Sequence, residues 1–191
     1  MRIGIDLDGV ITDIARFVID YGTKFCYENN LEYKLNVGEY DESKALGISY
    51  EHAEKFWNEC LPYYAMKYNT REFVQEVITK LKETNEIYII TARNEEGFTK
   101  EYYGHMQEIV KKWLKDNNIT YDKIIFTKGS KLPYCIENNI DVMIEDSPSN
   151  ILDISRKIPV LCFDNPYNEN INGENITRVY SWYDILKKLE K

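Results

Sequence analysis

Two aspartates stand two positions apart near the start of the chain, in the stretch DLDGV at residues 6–10. They close an apolar run, residues 2–7, that predicts a buried β-strand with both carboxylates on the face opposite its isoleucines. A carboxylate at the end of such a strand costs free energy unless it is ligated, hydrogen-bonded or catalytic. The alternative is a simple Asp-Gly turn with Asp6 merely at a strand end. Asp6 and Asp8 alone leave both interpretations open.

Further side chains that could do chemistry follow three other apolar runs. Each group has a structural alternative, because a threonine can cap a helix, lysines can cover a solvated face and acidic residues can fill a loop. In a parallel sheet, however, all of these strand ends meet at one edge, where ligands bind. Convergence at that edge favours a single site over four unrelated coincidences. The groups are Thr91-Ala92-Arg93, Lys128, Lys131 and Glu145-Asp146.

The apolar runs also predict the fold that positions these groups. Most are continuous rather than alternating, as expected for parallel strands covered by helices on both faces. Helical patterns separate them, for example the one that begins at Tyr102 and continues through Leu114. The predicted fold class is therefore α/β, a doubly wound parallel sheet with right-handed crossovers. Its predicted strands are residues 2–7, 86–91, 123–127, 141–145 and 159–163.

One connection is too long for an ordinary crossover. Residues 9–86 separate the first two predicted strands, whereas a crossover helix with its loops needs about 15–30 residues. Helical patterns over 14–30, 50–61 and 70–84 fill this interval. We predict a small helical cap over residues 17–71, inserted after the first strand of a core formed by residues 1–16 and 72–191.

The converging groups suit metal-assisted phosphoryl transfer. Carboxylate and carbonyl oxygens hold Mg²⁺, which also binds phosphate oxygens. A neighbouring carboxylate can attack phosphorus, and a second acid can protonate the leaving oxygen and then activate water. A lysine and a hydroxyl neutralise and orient the transferring group.

The order and spacing of these residues resemble the haloacid-dehalogenase superfamily of phosphatases, whose core is a Rossmann-like sheet. The resemblance implies that Asp6 is the nucleophile and that Asp8 is the general acid/base. It implies that Thr91 is the phosphate-binding hydroxyl and Lys131 the charge-neutralising lysine. Lys131 suits the spacing to the acidic pair better than Lys128, which is the alternative.

The same resemblance implies a Mg²⁺ site at the acidic pair. Glu145 would bind the metal together with the Asp6 carboxylate and the Asp8 backbone carbonyl. Asp146 would act through a water molecule or as a hydrogen-bond acceptor beside it.

Within that superfamily the chain is most similar to the 5′(3′)-deoxyribonucleotidases, the cytosolic and mitochondrial type C nucleotidases. The similarity rests on DLDGVITD, on a Tyr-rich helix after Thr91, and on three later stretches. Those stretches are KFWNECLPYY, FTKGSK with IDVMIEDSP, and YSWYDIL. The resemblance implies a small phosphorylated substrate, a (deoxy)nucleoside monophosphate.

The chain departs from that family at three places, one at the expected metal site and two at the expected substrate site. Glu145 stands where the family has an aspartate, and the longer carboxylate can still ligate. Ala92-Arg93 replaces the usual serine, so we expect Arg93 to hold the substrate phosphate. Tyr40 is the candidate for the aromatic residue that packs the base, and Lys128 is a further candidate substrate contact.

Composition excludes several other partners. The net charge of −8 and pI near 5.0 argue against a nucleic-acid polymer or an anionic membrane surface. No apolar run is long enough to span a bilayer. The four cysteines show no metal-type spacing, so we expect free thiols and a cytoplasmic protein. A homodimer is compatible with the sequence.

Three rival functions share parts of this pattern. A phosphatase for another small phosphomonoester, such as a sugar phosphate, would have the same core. A receiver-type signalling domain also groups acids, a hydroxyl and a lysine around Mg²⁺, but in a different order along the chain. A non-catalytic phospho-ligand-binding protein would not need both Asp6 and Asp8 intact.

Overall fold

The computed structural model describes residues 1–94 and 104–190. In these ranges the chain alternates between strands and helices and forms one parallel six-stranded sheet, which confirms the predicted α/β class. The sheet order is β3-β2-β1-β4-β5-β6. The strands are β1 Arg2–Ile5, β2 Glu86–Thr91, β3 Lys123–Phe126, β4 Val142–Glu145, β5 Val160–Phe163 and β6 Ile176–Val179.

The direction of winding reverses between β1 and β4, which lie side by side in the centre of the sheet. Their register pairs Ile5 with Ile144, and the Asp6 amide donates to the Ile144 carbonyl at 3.0 Å. Such a reversal opens a crevice at the carboxyl ends of the two strands. Asp6 and Glu145 therefore stand next to each other at that crevice.

Helices cover both faces of the sheet, which explains why the strands are apolar throughout. Side chains alternate between faces along each strand. Ile87 and Ile89 of β2 pack into the core on one face, whereas Tyr88 and Ile90 pack into the core on the other. The first core is completed by α4, α5 and α8, and the second by α6 and α7. These helices are α4 Val74–Lys82, α5 Met106–Asp116, α6 Leu132–Glu137, α7 Pro148–Ile154 and α8 Trp182–Leu189.

Three helices lie between β1 and α4, and we refer to them as the cap: α1 Ile14–Glu28, α2 Glu42–Leu46 and α3 Tyr50–Lys67. They share an apolar core of their own, in which the Phe17 ring contacts Phe56 and Tyr64. At the base of the cap, Thr12 and Thr70 form an isolated antiparallel bridge between the outgoing and returning chain.

The elements differ from the sequence prediction in a few places. The prediction of five strands missed β6, an edge strand in which only Val179 is fully buried, so its sequence lacks a continuous apolar run. It also missed the five-residue helix α2 and ended the helix at 50–61 too early. Tyr102 and the Tyr-rich segment after Thr91 lie outside the described residues. Among the described residues no helix is both long and apolar enough to cross a membrane.

Candidate active site

The loop after β1 carries the two aspartates and turns sharply under the acidic pair. Gly9 has a φ of +80°, and a Cβ at this position would lie 1.9 Å from an Asp146 carboxylate oxygen. A side chain here is therefore excluded both by conformation and by space. The Gly9 carbonyl accepts hydrogen bonds from Arg71 Nη2 and Asn165 Nδ2, each at 3.2 Å. These contacts fix the loop that presents Asp6 and Asp8.

Lys131 lies at the centre of the site, just before α6. Its Nζ is 2.6 Å from Asp6 Oδ1 and 2.8 Å from Glu145 Oε2, and the side chain is only 2% exposed. Burial alone would lower the pKa of Lys131, but the charges of Asp6 and Glu145 outweigh it and the pKa is raised. Lys131 is thus held as a cation against the predicted nucleophile, whereas the Lys128 side chain is exposed.

The two acidic residues after β4 have different surroundings. Glu145 is fully engaged, because Oε1 accepts from the amides of Asp146 and Ser147 and Oε2 accepts from Lys131. Asp146 accepts a hydrogen bond from the Tyr167 hydroxyl on Oδ2. Its Oδ1 is buried and has no hydrogen-bond partner among the described residues. A buried carboxylate oxygen without a donor is costly, and coordination of a metal ion would offset that cost.

The donors at this position fit a hard divalent cation. Asp6, Glu145 and Asp146 each offer a carboxylate oxygen, and these atoms lie within 4.8 Å of one another. Burial, followed by the charge of Glu145, raises the pKa of Asp6 and of Asp146 well above the usual value for aspartate. The positive charge of Lys131 lowers the pKa of Asp6 and of Asp146, but it does not outweigh these effects. The cluster thus carries more negative charge than one lysine balances, which favours Mg²⁺ or a similar ion.

Asp8 faces a different set of partners. Arg93 Nε lies 3.0 and 2.9 Å from the two Asp8 carboxylate oxygens, and the Tyr64 hydroxyl donates to Oδ1 at 2.5 Å. The Arg93 guanidinium also stacks on the Tyr64 ring, 4.7 Å from its centroid. Tyr64 belongs to the cap, so α3 directly contacts the predicted general acid/base. Arg93 Nη1 is buried and has no hydrogen-bond partner among the described residues.

The remaining predicted residues occupy varied positions. Thr91 is completely buried at the end of β2, where its hydroxyl oxygen accepts from the Arg93 amide at 3.1 Å. Ala92 is exposed and its carbonyl accepts from the Asn94 amide at 2.7 Å. The backbone amide of Lys128 donates to the Tyr134 hydroxyl at 3.2 Å.

Tyr40 reaches the site from the loop before α2. It is 53% exposed, yet its ring packs edge-on against Tyr167 with centroids 5.1 Å apart. Tyr40 and Tyr167 line a cavity of about 370 Å³ that also reaches Asp8. The structure therefore places Tyr40 beside the catalytic loop, at the predicted substrate side.

Four residues of the site were missed by sequence reasoning: Tyr64, Arg71, Asn165 and Tyr167. Asn165 and Tyr167 belong to the stretch DNPY that follows β5, and reading this strand end like the other four would have found them. Tyr64 lies in α3 of the cap and Arg71 in the segment between α3 and α4, where no strand end marks them. Only the folded cap brings them to Asp8 and Gly9.

Solved structures with the same fold are haloacid-dehalogenase-type proteins. The hydrolase SP0104 from Streptococcus pneumoniae has a TM-score of 0.66 at 13% identity, over 98% of this chain and 97% of that one. YfnB from Bacillus subtilis, in a structure bound to magnesium, has a TM-score of 0.55 at 12% identity, over 100% and 98% of the two chains. At these identities the likeness establishes the fold alone.

Curated proteins are similar over nearly the whole length. "Putative nucleotidase YqfW" from Bacillus subtilis is 32% identical over 194 residues, which cover 98% of this chain and 92% of YqfW. "Nucleotidase CA_C3379" from Clostridium acetobutylicum is 31% identical over 199 residues, covering 99% and 95%. Residues 1–189 match the family model described as "5′ nucleotidase, deoxy (Pyrimidine), cytosolic type C protein". The predicted family and enzyme class are thereby confirmed: the chain belongs to the type C 5′-nucleotidases, which are phosphoric monoester hydrolases.

Proposed function

We propose that the protein is a Mg²⁺-dependent phosphomonoesterase that dephosphorylates deoxyribonucleoside 5′- or 3′-monophosphates through an aspartyl-phosphate on Asp6. The observation that carries this proposal is the environment of Asp6. A buried lysine lies 2.6 Å away, and the neighbouring Asp146 has a carboxylate oxygen without a donor among the described residues. A nucleophile, a balancing cation and a carboxylate oxygen able to bind a metal ion are the requirements of this reaction.

In this proposal Asp6, the Asp8 backbone carbonyl and Asp146 would hold the metal, with Asp146 as a direct ligand. This revises the expected roles of the acidic pair, since both Glu145 oxygens are already engaged by Lys131 and two amides. Glu145 instead orients Lys131. Bound Mg²⁺ would supply positive charge beside the phosphate oxygens and keep Asp6 ionised.

The residues then divide the two steps of hydrolysis. An Asp6 oxygen attacks phosphorus, and the bond to the leaving oxygen breaks as that oxygen takes a proton from Asp8. In the second step Asp8 takes a proton from water, whose oxygen attacks the same phosphorus. The Asp6 carboxylate is regenerated and inorganic phosphate leaves.

Arg93 has two parts in this scheme. Its Nε and Nη2 hold the Asp8 carboxylate, while Nη1 has no hydrogen-bond partner among the described residues and is left for an oxygen of the incoming phosphate. Thr91 fixes the turn that places Arg93, because its hydroxyl oxygen accepts from the Arg93 amide. Arg93 is therefore proposed both to orient the general acid/base and to bind substrate.

The test of this function is phosphate release in the presence of Mg²⁺ from a panel of phosphomonoesters. The panel contains 5′- and 3′-deoxynucleotides, ribonucleotides, sugar phosphates and a generic aryl phosphate. We expect the highest kcat/KM with deoxynucleotides. Preference for sugar phosphates would replace the substrate assignment and keep the Asp6 chemistry, whereas no turnover of any ester with Mg²⁺ bound would overturn the function.

Substitution of the acidic pair separates the two proposed roles. We expect Asp146→Asn to raise the Mg²⁺ concentration needed for half-maximal activity by about 10–100-fold, because a charged ligand is lost. Glu145→Gln should lower kcat with a smaller change in Mg²⁺ requirement, since it loosens Lys131. Mg²⁺ titrations of phosphate release measure both values. The reverse ranking would return Glu145 to the role of direct ligand.

The stabilisation by Mg²⁺ should depend on pH. The folded-state pKa values of Asp6 and Asp146 are raised above those of the unfolded chain. The metal-free fold therefore loses stability from these groups as pH rises above about 4 and they ionise. Mg²⁺ competes with these protons, so we expect its increase in Tm to be larger at pH 8 than at pH 5. Thermal unfolding with Mg²⁺ or with EDTA measures the difference, and an equal increase at both pH values would contradict it.

The boundaries of the cap stay a proposal. The expected boundary between residues 16 and 17 falls inside α1, which begins at Ile14. The Thr12–Thr70 bridge, in contrast, joins the segment that enters the cap to the segment that leaves it. We place the hinge at this bridge, a few residues from the expected limits of 17 and 71.

A further inference from the structure

A cavity of about 530 Å³ lies between the cap and the catalytic loop, a size that suits a nucleoside. We call it the leaving-group cavity. Asp8 lines this cavity. Under the proposed function Asp8 protonates the leaving oxygen, so the nucleoside that leaves with this oxygen would lie here. The inference below therefore rests on the proposed function. The cavity residues that carry the inference are Asp8, Asp41, Glu42, Glu54, Trp57 and Arg93.

The charge of this cavity restricts what it can hold. Asp41, Glu42 and Glu54 contribute carboxylates from the cap. The cationic side chain among the described lining residues is Arg93, which is paired with Asp8. A second phosphate or a carboxylate on the substrate would meet uncompensated negative charge here. A neutral group that donates hydrogen bonds would be favoured.

Glu42 is the carboxylate best placed to read such a group. The Asp41 carboxylate already caps α2, accepting from the Ser43 hydroxyl at 2.5 Å and from the Lys44 amide at 3.1 Å. Glu54 is exposed, whereas Glu42 is half-buried and lines the cavity together with the Trp57 side chain. The Glu42 carboxylate therefore shares the cavity with an aromatic side chain on which a base can stack.

Glu42 also occupies a boundary position. It lines both the leaving-group cavity and the 370 Å³ cavity that contains Tyr40, and the only other described residues shared by the two are Asp8 and Ile14. A base attached to a sugar at Asp8 therefore passes Glu42 whichever cavity it enters.

We infer that Glu42 selects the base of the substrate by accepting a hydrogen bond from an exocyclic amino group. A carboxylate is an acceptor only, so it pairs with the 4-amino group of cytosine and opposes the 4-carbonyl group of uracil. The same logic applies to guanine, whose 2-amino group is absent from hypoxanthine. The inferred substrate class is deoxynucleoside monophosphates with amino-bearing bases.

Two substrate pairs test this inference directly: dCMP against dUMP, and dGMP against dIMP. In the wild-type protein we expect kcat/KM to favour the amino-bearing member of each pair by about tenfold or more, because the other member leaves a half-buried carboxylate unpaired. Glu42→Gln should bring the dCMP to dUMP ratio to about one or below, since an amide can donate to the uracil carbonyl. Glu51→Gln, an equal charge change on an exposed residue of α3 outside this cavity, should keep the wild-type ratio.

The outcomes separate this inference from the proposed function. Hydrolysis of a generic aryl phosphate by each variant shows that its catalytic site is assembled. Activity with ratios near one in the wild type, or a dCMP preference that survives Glu42→Gln, overturns the role of Glu42 and leaves the proposed function standing. Loss of activity on every ester by the wild type overturns the proposed function itself. If the Glu42→Gln variant does not fold, the two wild-type ratios decide the inference.

Discussion

Replacement of Asp6 by asparagine is expected to reduce phosphate release by about 10⁴-fold or more. Asparagine keeps the size of the side chain but lacks the anionic oxygen that would attack phosphorus. The fold should survive, because the pKa of Asp6 is raised by burial and by Glu145, which means that its ionisation is unfavourable in the metal-free fold. We expect the metal-free variant to melt at or above the wild-type temperature near neutral pH.

Two measurements check this prediction together, the rate of phosphate release and thermal unfolding in EDTA. Asp116→Asn serves as the matched control, because Asp116 lies on the exposed surface of α5 and pairs with Lys112 one turn away. It should be nearly neutral in both measurements. Substantial residual activity of Asp6→Asn would sink the nucleophile assignment, and a large drop in Tm would show that Asp6 has a structural role instead.

Replacement of Lys131 by methionine is expected to have the largest combined effect on stability and activity. Methionine fills a similar volume but leaves Asp6 and Glu145 as buried carboxylates without their cation. Removing one partner of a buried ion pair typically costs about 3–5 kcal/mol of unfolding free energy. Loss of the charge beside the transferring group should lower kcat by about 10²–10³-fold in addition.

The stability loss should follow a defined pH dependence. Lys131 lowers the pKa of Asp6 and of Asp146, so its removal raises both values further. The deficit relative to wild type should therefore be small near pH 4 and grow as pH rises and the carboxyl groups ionise. Added Mg²⁺ should restore part of the stability at pH 8.

Denaturant unfolding at several pH values measures this deficit. Lys157→Met, a substitution on the exposed surface, is the control and should show no comparable pH-dependent loss. A deficit that is equal at pH 4 and pH 8 would mean that lost packing, and not unbalanced charge, causes the instability.

The sequence predicted the sheet well because buried parallel strands need continuous apolar runs. Four of the five predicted strands begin and end within one residue of the observed ones, and β1 ends two residues early because the chain turns at Asp6. The pattern failed where burial is incomplete. β6 lies at the sheet edge and α2 has only five residues, so neither contains enough apolar positions to mark it.

In the candidate site, too, the sequence predicted the residues at strand ends but not the residues that other elements contribute. Asp6, Lys131, Glu145 and Asp146 come together because each follows a strand of one parallel sheet, an order that the chain itself specifies. The sequence could not divide roles within the acidic pair. Neighbouring carboxylates differ only in which donors surround them, and those donors come from distant segments.

What the sequence determined by itself is therefore the fold class, the catalytic edge and the order of groups along it, because these depend on local periodicity and on strand ends. Only the tertiary structure decided that Arg93 and Tyr64 hold Asp8, that Tyr167 bonds Asp146 and that Glu42 lines a cavity with Asp8. Those contacts join separate elements of the fold across up to 85 positions of chain. Side-chain packing between separate elements, and no local pattern, sets which residues meet at that distance.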